Sequence, residues 1–370
     1  MNSELMDTDE LPHVLICMPT LNREWIIGYA LKSILAQDYP HNLLRIVVID
    51  GCSRDRTVDV AKEVLGSSGV NYEVIVKRSN VAQARNICID LSRDDEVVVM
   101  WESDNLGPRK LLKAAIKALM SGEFDIVSTK VRFRRVESSE DIEKVFNEVL
   151  GIDVSSAVVK PYLRVIGAFI AAKGSTFKRL RFNESMTFID DIDFSLRSVL
   201  SNLRIGRIDN LVMLDIDMPK MYYSDIYTDM PLTKLIKGLR FKARAYAYEI
   251  TFLSAKHHLR RCILSLTYVA LLTSLIITAI LSVTTSISIL YPILVSIALI
   301  LMTLLYIRAK LRLKYPFNKA LKSLMRSYII LSPMNILTLI YSLLFTTGIK
   351  YRLKDKVRKL LNRPKLVVKL

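Results

Sequence analysis

The sequence has few of the residues that build disulfide frameworks, zinc sites or histidine-based active sites. Its four cysteines, Cys17, Cys52, Cys88 and Cys262, stand singly without a C-x-x-C pair, which argues against a zinc site or a disulfide framework. Four histidines occur, two before residue 42 and two adjacent at positions 257 and 258. No histidine lies in residues 42–256, so acid–base chemistry in that part of the chain has to be carried by carboxylates.

Charged residues are absent from residues 262–307, and this absence predicts membrane segments. The run holds two apolar stretches, 263–283 and 287–306, each of about the length that crosses a ~30 Å hydrocarbon layer. We expect them to form a membrane hairpin. A third uncharged stretch, 327–349, contains Pro333 and Asn335, so it is expected either to cross with a kink or to re-enter.

Acidic residues are almost absent from residues 234–370. This part holds 24 lysines and arginines against only Glu249 and Asp355, a net charge of +22, whereas the first 233 residues carry −5. Because the basic part is also the apolar part, the charge predicts contact with membrane lipids and not with nucleic acid. Residues 232–262 fit a basic interfacial helix and a plain linker about equally well.

Basic residues flank the predicted hairpin on both sides. Eight lie in residues 234–261 and seven in 308–326, with none in the turn between the two spans, so both ends of the hairpin are expected in the cytoplasm. The prediction is a multi-pass integral membrane protein with a cytoplasmic catalytic domain. A single third crossing would place the nine basic residues of 350–370 outside, so residues 263–349 are left with two to four membrane segments.

The first half of the chain alternates apolar runs with helical spacing. Strands are predicted at 14–18, 45–49, 72–76 and 96–100, with helices at 25–36, from after residue 57 to about 65, and at 81–91. Further along the chain a helix is predicted at 190–200 and an aromatic loop at 217–229. Single helices between strands predict right-handed crossovers and a mostly parallel sheet, hence an α/β domain over residues 13–231. Residues 1–12 are expected to be a tail whose acidic composition does not fit a secretory signal, and 350–370 a basic tail.

Two carboxylates, Glu102 and Asp104, follow the fourth predicted strand. In an open α/β sheet, ligands bind beyond the carboxyl ends of the strands. Two carboxylates at that place can hold a divalent cation against a diphosphate, so we predict a Mg²⁺ or Mn²⁺ site there. A solvated turn is the alternative for an exposed Glu-Ser-Asp sequence.

A series of short motifs resembles the inverting family 2 glycosyltransferases, in particular the membrane-bound polyprenol-phosphate sugar synthases. In order, the motifs are PTLNR (19–23), DGCSRDRT (50–57), ARN (84–86), ESD (102–104) and DDID (190–193). The resemblance covers about residues 15–211 and implies a Rossmann-like GT-A catalytic domain. It also implies a nucleotide-sugar donor and a metal-dependent transfer.

The resemblance assigns expected roles on the donor side. Asp50 is expected to accept a hydrogen bond from the ring N–H of uracil or guanine, with an Asx turn as the alternative. Arg85 is expected to contact the nucleotide or the diphosphate. Asp104 is the expected metal ligand and Glu102 a second, less direct one. The complete donor-side set is Pro19, Thr20, Leu21, Glu24, Asp50, Arg85, Glu102 and Ser103.

On the acceptor side, Asp191 matches the catalytic base of the family. For a phosphate acceptor, which is already ionised, Asp191 is expected to orient the acceptor or bind metal instead. Asp190, Arg132 and Arg134 are further acceptor-side candidates. Many relatives carry a metal-binding histidine after the last strand, and the alternatives that this sequence offers there are Asp215 and Asp217.

The sequence therefore predicts an enzyme that moves one sugar from a UDP- or GDP-sugar to a lipid-linked acceptor, such as polyprenyl or dolichyl phosphate, at the cytoplasmic membrane face. The Q-x-x-R-W motif of processive synthases cannot be formed, because no glutamine stands four residues before a tryptophan. Two alternatives remain. One is a transferase that extends a lipid-linked oligosaccharide or another glycan, and the other is an inactive GT-A membrane scaffold or nucleotide-sugar sensor.

Overall fold

The structure is a computed structural model, and it describes residues 11–186, 190–217, 267, 270–271, 273–281, 290–312 and 353–370. The chain divides into two compact units. The first unit consists of Met1–Met218 together with Lys350–Leu370, and the second is Pro219–Ile349. The predicted loop at 217–229 and the predicted interfacial region at 232–262 lie outside the described residues, apart from Asp217.

Four parallel strands form one half of the sheet in the first unit. They are β1 (Val14–Thr20), β2 (Leu44–Asp50), β3 (Asn71–Val76) and β4 (Val97–Trp101), in the spatial order β4-β1-β2-β3. The connecting helices are α1 (Ile27–Leu35), α2 (Thr57–Gly66) and α3 (Val81–Leu91). Every residue of β1 and β4 is buried, which explains their continuous apolar runs, as expected for strands covered on both faces.

The remaining strands make the sheet mixed. In chain order they are β5 (Asn105–Leu106), β6 (Ile126–Arg135), β7 (Ser156–Tyr162), β8 (Phe169–Lys173), β9 (Ile205–Asp217) and β10 (Leu366–Lys369). β8 lies antiparallel between β4 and β6, and β6 runs parallel to β9. β9 is also antiparallel to β7 and to the short β5. The prediction of a mostly parallel sheet is therefore wrong beyond β4, because β8 pairs antiparallel with both of its neighbours and β9 pairs antiparallel with β5 and β7.

The later helices of the first unit pack beside this sheet. They are α4 (Leu111–Met120), α5 (Ser139–Leu150), α6 (Gly174–Leu180) and α7 (Asp190–Leu200). The bounds of α3 and α7 agree with those predicted from the sequence. The start of α3 is fixed by a capping box, in which the Asn80 side chain accepts from Gln83 N at 2.8 Å and the Gln83 side chain accepts from Asn80 N at 3.0 Å.

In the second unit the structure describes a helix of 23 residues, α8 (Leu290–Arg312). Several of its large apolar side chains are exposed, among them Ile293, Leu294, Ile297, Leu301 and Leu304. Among the residues that can be described, no helix has both the length and the apolarity needed to cross a membrane. The predicted spans at 263–283, 287–306 and 327–349 lie wholly or partly outside those residues.

Residues 353–370 pack within the first unit, although the sequence presents them as part of a separate basic tail. A helix, α9, covers residues 353–361, and β10 then pairs antiparallel with β7, with Val367 opposite Val158. Leu370 N donates to Ser155 O at 2.9 Å, and Leu353 is fully buried. A strand that follows the second unit in sequence therefore forms one edge of the sheet of the first unit.

Candidate active site

The C-terminal ends of the parallel strands bring the predicted donor-side residues to one edge of the sheet. Thr20 and Asp50 end β1 and β2 and lie directly opposite each other. The hydroxyl oxygen of Thr20 is buried and has no hydrogen-bond partner among the described residues. Leu21, the next residue, is 47% exposed. An apolar surface beside an unsatisfied hydroxyl is suited to a ligand that has both a flat apolar face and polar edges.

Asp50 is fully buried and forms the Asx turn that the sequence offers as its alternative role. Its Oδ2 accepts from Ser53 N at 2.8 Å, and its Oδ1 accepts from the Ser53 hydroxyl. Cys52 within this turn has a φ of 70°. A carboxylate has further lone pairs, so the turn does not use up its acceptor capacity, and recognition of a base by Asp50 stays a prediction.

The loops after β1 and β2 are tied to each other by backbone-to-carboxylate bonds. Glu24 Oε2 accepts from Arg56 N at 2.8 Å, and Asp55 Oδ2 accepts from Glu24 N at 3.3 Å. Asp55 also accepts from Thr57 at the start of α2. Glu24 therefore braces the two loops in this structure, and its predicted contact with the donor is not tested. Pro19 and Ser103 are buried, and their predicted contacts with the donor also stay predictions.

Asp104 lies in the turn after β4, and both of its carboxylate oxygens are engaged. Oδ2 is 3.1 Å from Arg23 Nε, and Oδ1 accepts from Asn105 Nδ2 at 2.8 Å. The side chain is 20% exposed. The sequence-based site omits Arg23, although a cation in the first loop facing the carboxylates after β4 was a signal that could have indicated it.

The carboxylates fit a cation that is shared with a substrate and do not form a closed protein cage. Among the described residues, no group of three or more histidines, cysteines or acids could hold a metal ion. Mg²⁺ is commonly held by one or two carboxylates together with substrate phosphates, a donor set that Asp104 and Glu102 can begin. At Asp104 the cation would take the place of Arg23. Asp215 lies opposite Asn105 on β9, and a role for it, or for Asp217, in metal binding stays a prediction.

Arg85 lies at the centre of a buried ionic network. Its Nη1 donates to the Asp190 carboxylate, and its Nη2 donates to Glu102 Oε1 at 2.6 Å and to Gly167 O at 3.2 Å. The Phe182 ring centroid is 5.0 Å from the guanidinium carbon. Since the side chain is only 1% exposed, the network leaves it almost no surface for the predicted contact with a nucleotide, and this contact stays untested.

Gly167 provides the space for this network, and the sequence gives no sign of it. A Cβ atom on Gly167 would lie 2.8 Å from Arg85 Nη2 and 2.9 Å from Glu102 Oε1. Both distances are shorter than ordinary van der Waals contact, so a larger side chain would displace one of the two charged groups. Burial raises the pKa of Glu102 to about 7, against the lowering influence of Arg85.

Asp191 sits next to this network at the start of α7. Its Oδ2 is 3.6 Å from Arg164 Nη2, and its side chain is 16% exposed. Burial raises the pKa of Asp191, Arg164 and Arg85 oppose this, and Asp190 adds to it. A carboxylate with a raised pKa is a better proton acceptor near neutral pH. Arg164 is absent from the sequence-based site because only the fold brings it to Asp191.

The predicted acceptor-side residues fall into two places. Asp190 is engaged by Arg85, as described above. Arg132 and Arg134 lie on the exposed C-terminal half of β6, beside Phe133, which is 82% exposed. Arg134 is 3.5 Å from Glu148 and lies opposite Ile216 of β9, whose N donates to the backbone oxygen of Asp104 at 2.9 Å. One strand therefore separates this basic stretch from the turn that carries Asp104.

Known proteins resemble this chain in sequence and in structure. Residues 15–171 match the family described as "Glycosyl transferase family 2". The chain is 26% identical over 117 residues to the probable glycosyltransferase YdaM of Bacillus subtilis, covering 31% of this chain and 28% of that protein. It is 23% identical over 128 residues to the glycosyltransferase AglE of Haloferax volcanii, covering 34% and 41%. The matches thus span less than half the length of these relatives.

Solved structures also resemble the chain, among them the following two. The mannosyltransferase PcManGT from Pyrobaculum calidifontis, in complex with GDP-Man and Mn²⁺, shares 19% identity with a TM-score of 0.49, covering 92% of this chain and 88% of that one. Residues 1–349 of TarS from S. aureus, in complex with UDP-GlcNAc, share 19% identity with a TM-score of 0.45, covering 65% and 73%.

Proposed function

We propose that the protein, whose residues 15–171 match glycosyl transferase family 2, is a nucleotide-sugar-dependent, inverting glycosyltransferase. The observation that carries the proposal is the arrangement of carboxylates at one edge of the sheet. Asp104 follows β4, Asp191 begins α7, and Arg85 links their neighbours Glu102 and Asp190. One carboxylate is thus available to hold a cation against the leaving diphosphate, and another is available to act on the acceptor.

On the donor side, Thr20, Leu21 and Asp50 would hold the nucleoside at the ends of β1 and β2. Asp104, with Glu102 near it, would hold Mg²⁺ or Mn²⁺ against the diphosphate. When bound, such a cation neutralises the negative charge that develops on the leaving group. Arg23, now 3.1 Å from Asp104, is placed to contact the diphosphate once the cation takes its position.

On the acceptor side, inversion follows from direct displacement at the anomeric carbon. The acceptor oxygen forms the new bond as the bond to the diphosphate breaks, and the nucleoside diphosphate leaves with the bonding electrons. A hydroxyl acceptor gives its proton to Asp191, whose raised pKa suits this role. A phosphate acceptor has no proton to give, and Asp191 then orients it together with Arg164.

We propose a lipid-linked acceptor such as polyprenyl or dolichyl phosphate, and a multi-pass membrane protein whose catalytic domain is cytoplasmic. Support comes from the +22 charge of residues 234–370, from the uncharged run at 262–307 and from the exposed apolar side chains of α8. Arg132 and Arg134 are exposed on the strand next to β9 and can meet a phosphate headgroup. Nucleic acid is not a proposed partner.

Extension of a lipid-linked oligosaccharide or of another glycan is the second candidate within the same chemistry. It is favoured by the 16% exposure of Asp191, which leaves the base accessible to a sugar hydroxyl. An inactive scaffold or nucleotide-sugar sensor is the third. That candidate is disfavoured because Asp104 and Asp191 are both present and both lie at the site.

The test measures transfer by membranes that contain the full chain. Radiolabelled UDP- and GDP-sugars are supplied with Mn²⁺ and with either polyprenyl phosphate or a lipid-linked oligosaccharide, and the lipid is extracted. We expect label in the lipid extracted from the polyprenyl phosphate sample with one donor. The rate of labelling should fall by roughly 100-fold or more in Asp104→Asn and Asp191→Asn. Asp94→Asn is the matched control, since Asp94 is exposed and paired with Lys178.

Each other outcome has a defined meaning. Label only in the longer lipid-linked glycan would replace the proposed acceptor with the second candidate. Absence of label in either acceptor with every donor, while the nucleotide-sugars still bind, would contradict the transferase and support the sensor. Equal labelling by wild type and Asp191→Asn would remove Asp191 from the mechanism.

A further inference from the structure

We infer that Arg85 is a positioning residue that ties the donor-side turn after β4 to the acceptor-side start of α7, and that it does not itself contact the nucleotide. This role deepens the proposed function and, as a catalytic role, rests on it. The sequence resemblance pointed instead to a direct contact between Arg85 and the nucleotide or diphosphate.

The burial of Arg85 is the first support. Its side chain is 1% exposed, and both terminal nitrogens already donate to acceptors within the protein. Nη2 also donates to Gly167 O at 3.2 Å, and the Phe182 ring covers the guanidinium at 5.0 Å. A group enclosed in this way has no open face for a bound nucleotide, and its one donor without any partner among the described residues, Nε, is buried within the protein.

The positions that Arg85 connects are the second support. Glu102 precedes Asp104 by two residues, and Asp190 directly precedes Asp191. A single guanidinium thus binds the neighbours of the proposed metal ligand and of the proposed base. The spacing between these two functional carboxylates is set through one side chain.

The rigidity of α3 around Arg85 is the third support. The helix starts in a capping box, and the next residue, Asn86, is buried and bonded on both sides of its amide. Asn86 Nδ2 donates to Phe182 O at 2.9 Å and to Glu184 Oε1 at 2.9 Å, while its Oδ1 accepts from Phe182 N at 2.8 Å. Arg85 therefore projects from a fixed backbone toward both carboxylates.

The chemistry of the side chain explains why arginine is needed at this position. A guanidinium is a planar fork whose two ends can each bind a different carboxylate in a fixed relative geometry. A lysine ammonium is a point charge that can satisfy one carboxylate well but cannot hold two at the spacing of the fork. Arg85→Lys therefore keeps the positive charge and removes the link between the two sides.

The first test uses thermal unfolding of the full chain and does not depend on catalysis. Glu102→Gln, Asp190→Asn and the double variant are compared with Arg85 present and in the Arg85→Met background. We expect the two shifts in Tm to be non-additive when Arg85 is present, and the size of this non-additivity to change when Arg85 is replaced, because then only the direct repulsion between the two carboxylates is left. Additive shifts in both backgrounds, or non-additivity of equal size in both, would overturn the link.

The second test separates a positioning role from a nucleotide contact. For Arg85→Lys we expect kcat to fall by roughly 100-fold, while the donor KM and the Kd for UDP or GDP with Mn²⁺ change by less than about threefold. A loss of roughly tenfold or more in affinity for the nucleoside diphosphate would show a direct contact and overturn the inference. An unchanged kcat would reduce Arg85 to a structural role and overturn it as well.

Arg45→Lys is the matched control in both tests. Arg45 Nη2 lies 3.1 Å from Glu96 Oε1 and donates to Leu91 O at 2.7 Å, so it also joins a buried carboxylate and a backbone oxygen. It lies toward the other end of the same strands, and its replacement is expected to lower Tm without changing kcat. If the wild type transfers no sugar, the proposed function fails, whereas the unfolding test still decides whether Arg85 links the two sides.

Discussion

At the scale of single residues, the pKa of Asp191 connects the site to the pH of the medium. Burial raises this pKa, and with a hydroxyl acceptor Asp191 takes up a proton only when it is ionised, so kcat for that acceptor is lost as pH falls through the raised pKa. Arg164 lowers the pKa of Asp191. We expect Arg164→Gln to move the acid limb of a kcat–pH profile to higher pH.

The control for this pH profile is Arg204→Gln. Arg204 has a side-chain exposure close to that of Arg164 and is paired with Asp125 instead of with the site. Its replacement is expected to leave the acid limb in place. An acid limb that is the same in Arg164→Gln as in wild type would show that Arg164 does not act on the group that titrates.

Gly167 is a residue at which one added methyl group is expected to disturb the charged network of the site. In Gly167→Ala the new methyl group would lie within 3 Å of both Arg85 and Glu102, so one of these buried charged groups has to move. We expect a loss of about 1–3 kcal/mol of stability in denaturant unfolding, as for other overpacked sites, together with lower activity. Gly66→Ala is the control, because its new Cβ atom would lie 3.5 Å from Tyr72 Oη, which is an ordinary contact. This variant should retain stability and activity, and equal behaviour of the two variants would contradict the packing explanation.

The sequence pointed to two acidic residues of the candidate site, but not to the charged groups around them. Asp104 follows a predicted strand, and Asp191 was indicated by the family resemblance. The link from Arg85 to Asp190 joins residues 105 positions apart, and neither Arg164 nor Gly167 has a local signature. The Asx turn at Asp50 is closed by Ser53, only three residues away, so the sequence could offer it as an alternative role.

At the scale of elements, local signals account for what could be predicted. The bounds of α3 and α7 follow from a capping residue and from acids in the first helical turn. β7 contains Lys160 and Pro161 and lacks an uninterrupted apolar run, so it was not predicted. The insertion of β8 between β4 and β6 depends on pairing between distant segments, which local periodicity does not encode.

The cap of α3 is a prediction at this scale. Asn80→Ala removes the bond to Gln83 N and also the bond from Asn80 Nδ2 to Glu184 O at 2.9 Å. We expect a loss of about 1 kcal/mol in urea unfolding. Since α3 carries Arg85, activity should also fall.

Ser138→Ala offers a matched comparison, because Ser138 caps α5 with the same kind of box and α5 carries no proposed catalytic or donor-side residue. It should cost a similar amount of stability and retain activity. If both variants lose activity equally, the effect of Asn80 on activity is not specific to α3.

At the scale of the whole molecule, the pairing of β10 with β7 can be tested in the full chain. Val158 and Val367 are direct partners in this antiparallel pair, whose Cα atoms are expected about 4.5–5.5 Å apart. Cysteines at both positions, in a Cys52→Ser background, should form a disulfide under mild oxidation. Lys160→Cys with Val367→Cys is two positions out of register and should form much less, and equal yields would contradict the pairing.

The return of the chain to the sheet of its first unit limits the number of times that the chain can cross a membrane. Residues 11–217 and 353–370 contribute strands to one sheet, so they lie on one side of any membrane. A segment that leaves one side and comes back to it crosses an even number of times. An odd number of crossings between residues 218 and 352 is therefore incompatible with this sheet, and the seven basic residues of 353–370 share a side with the candidate site, as the distribution of positive charge favours.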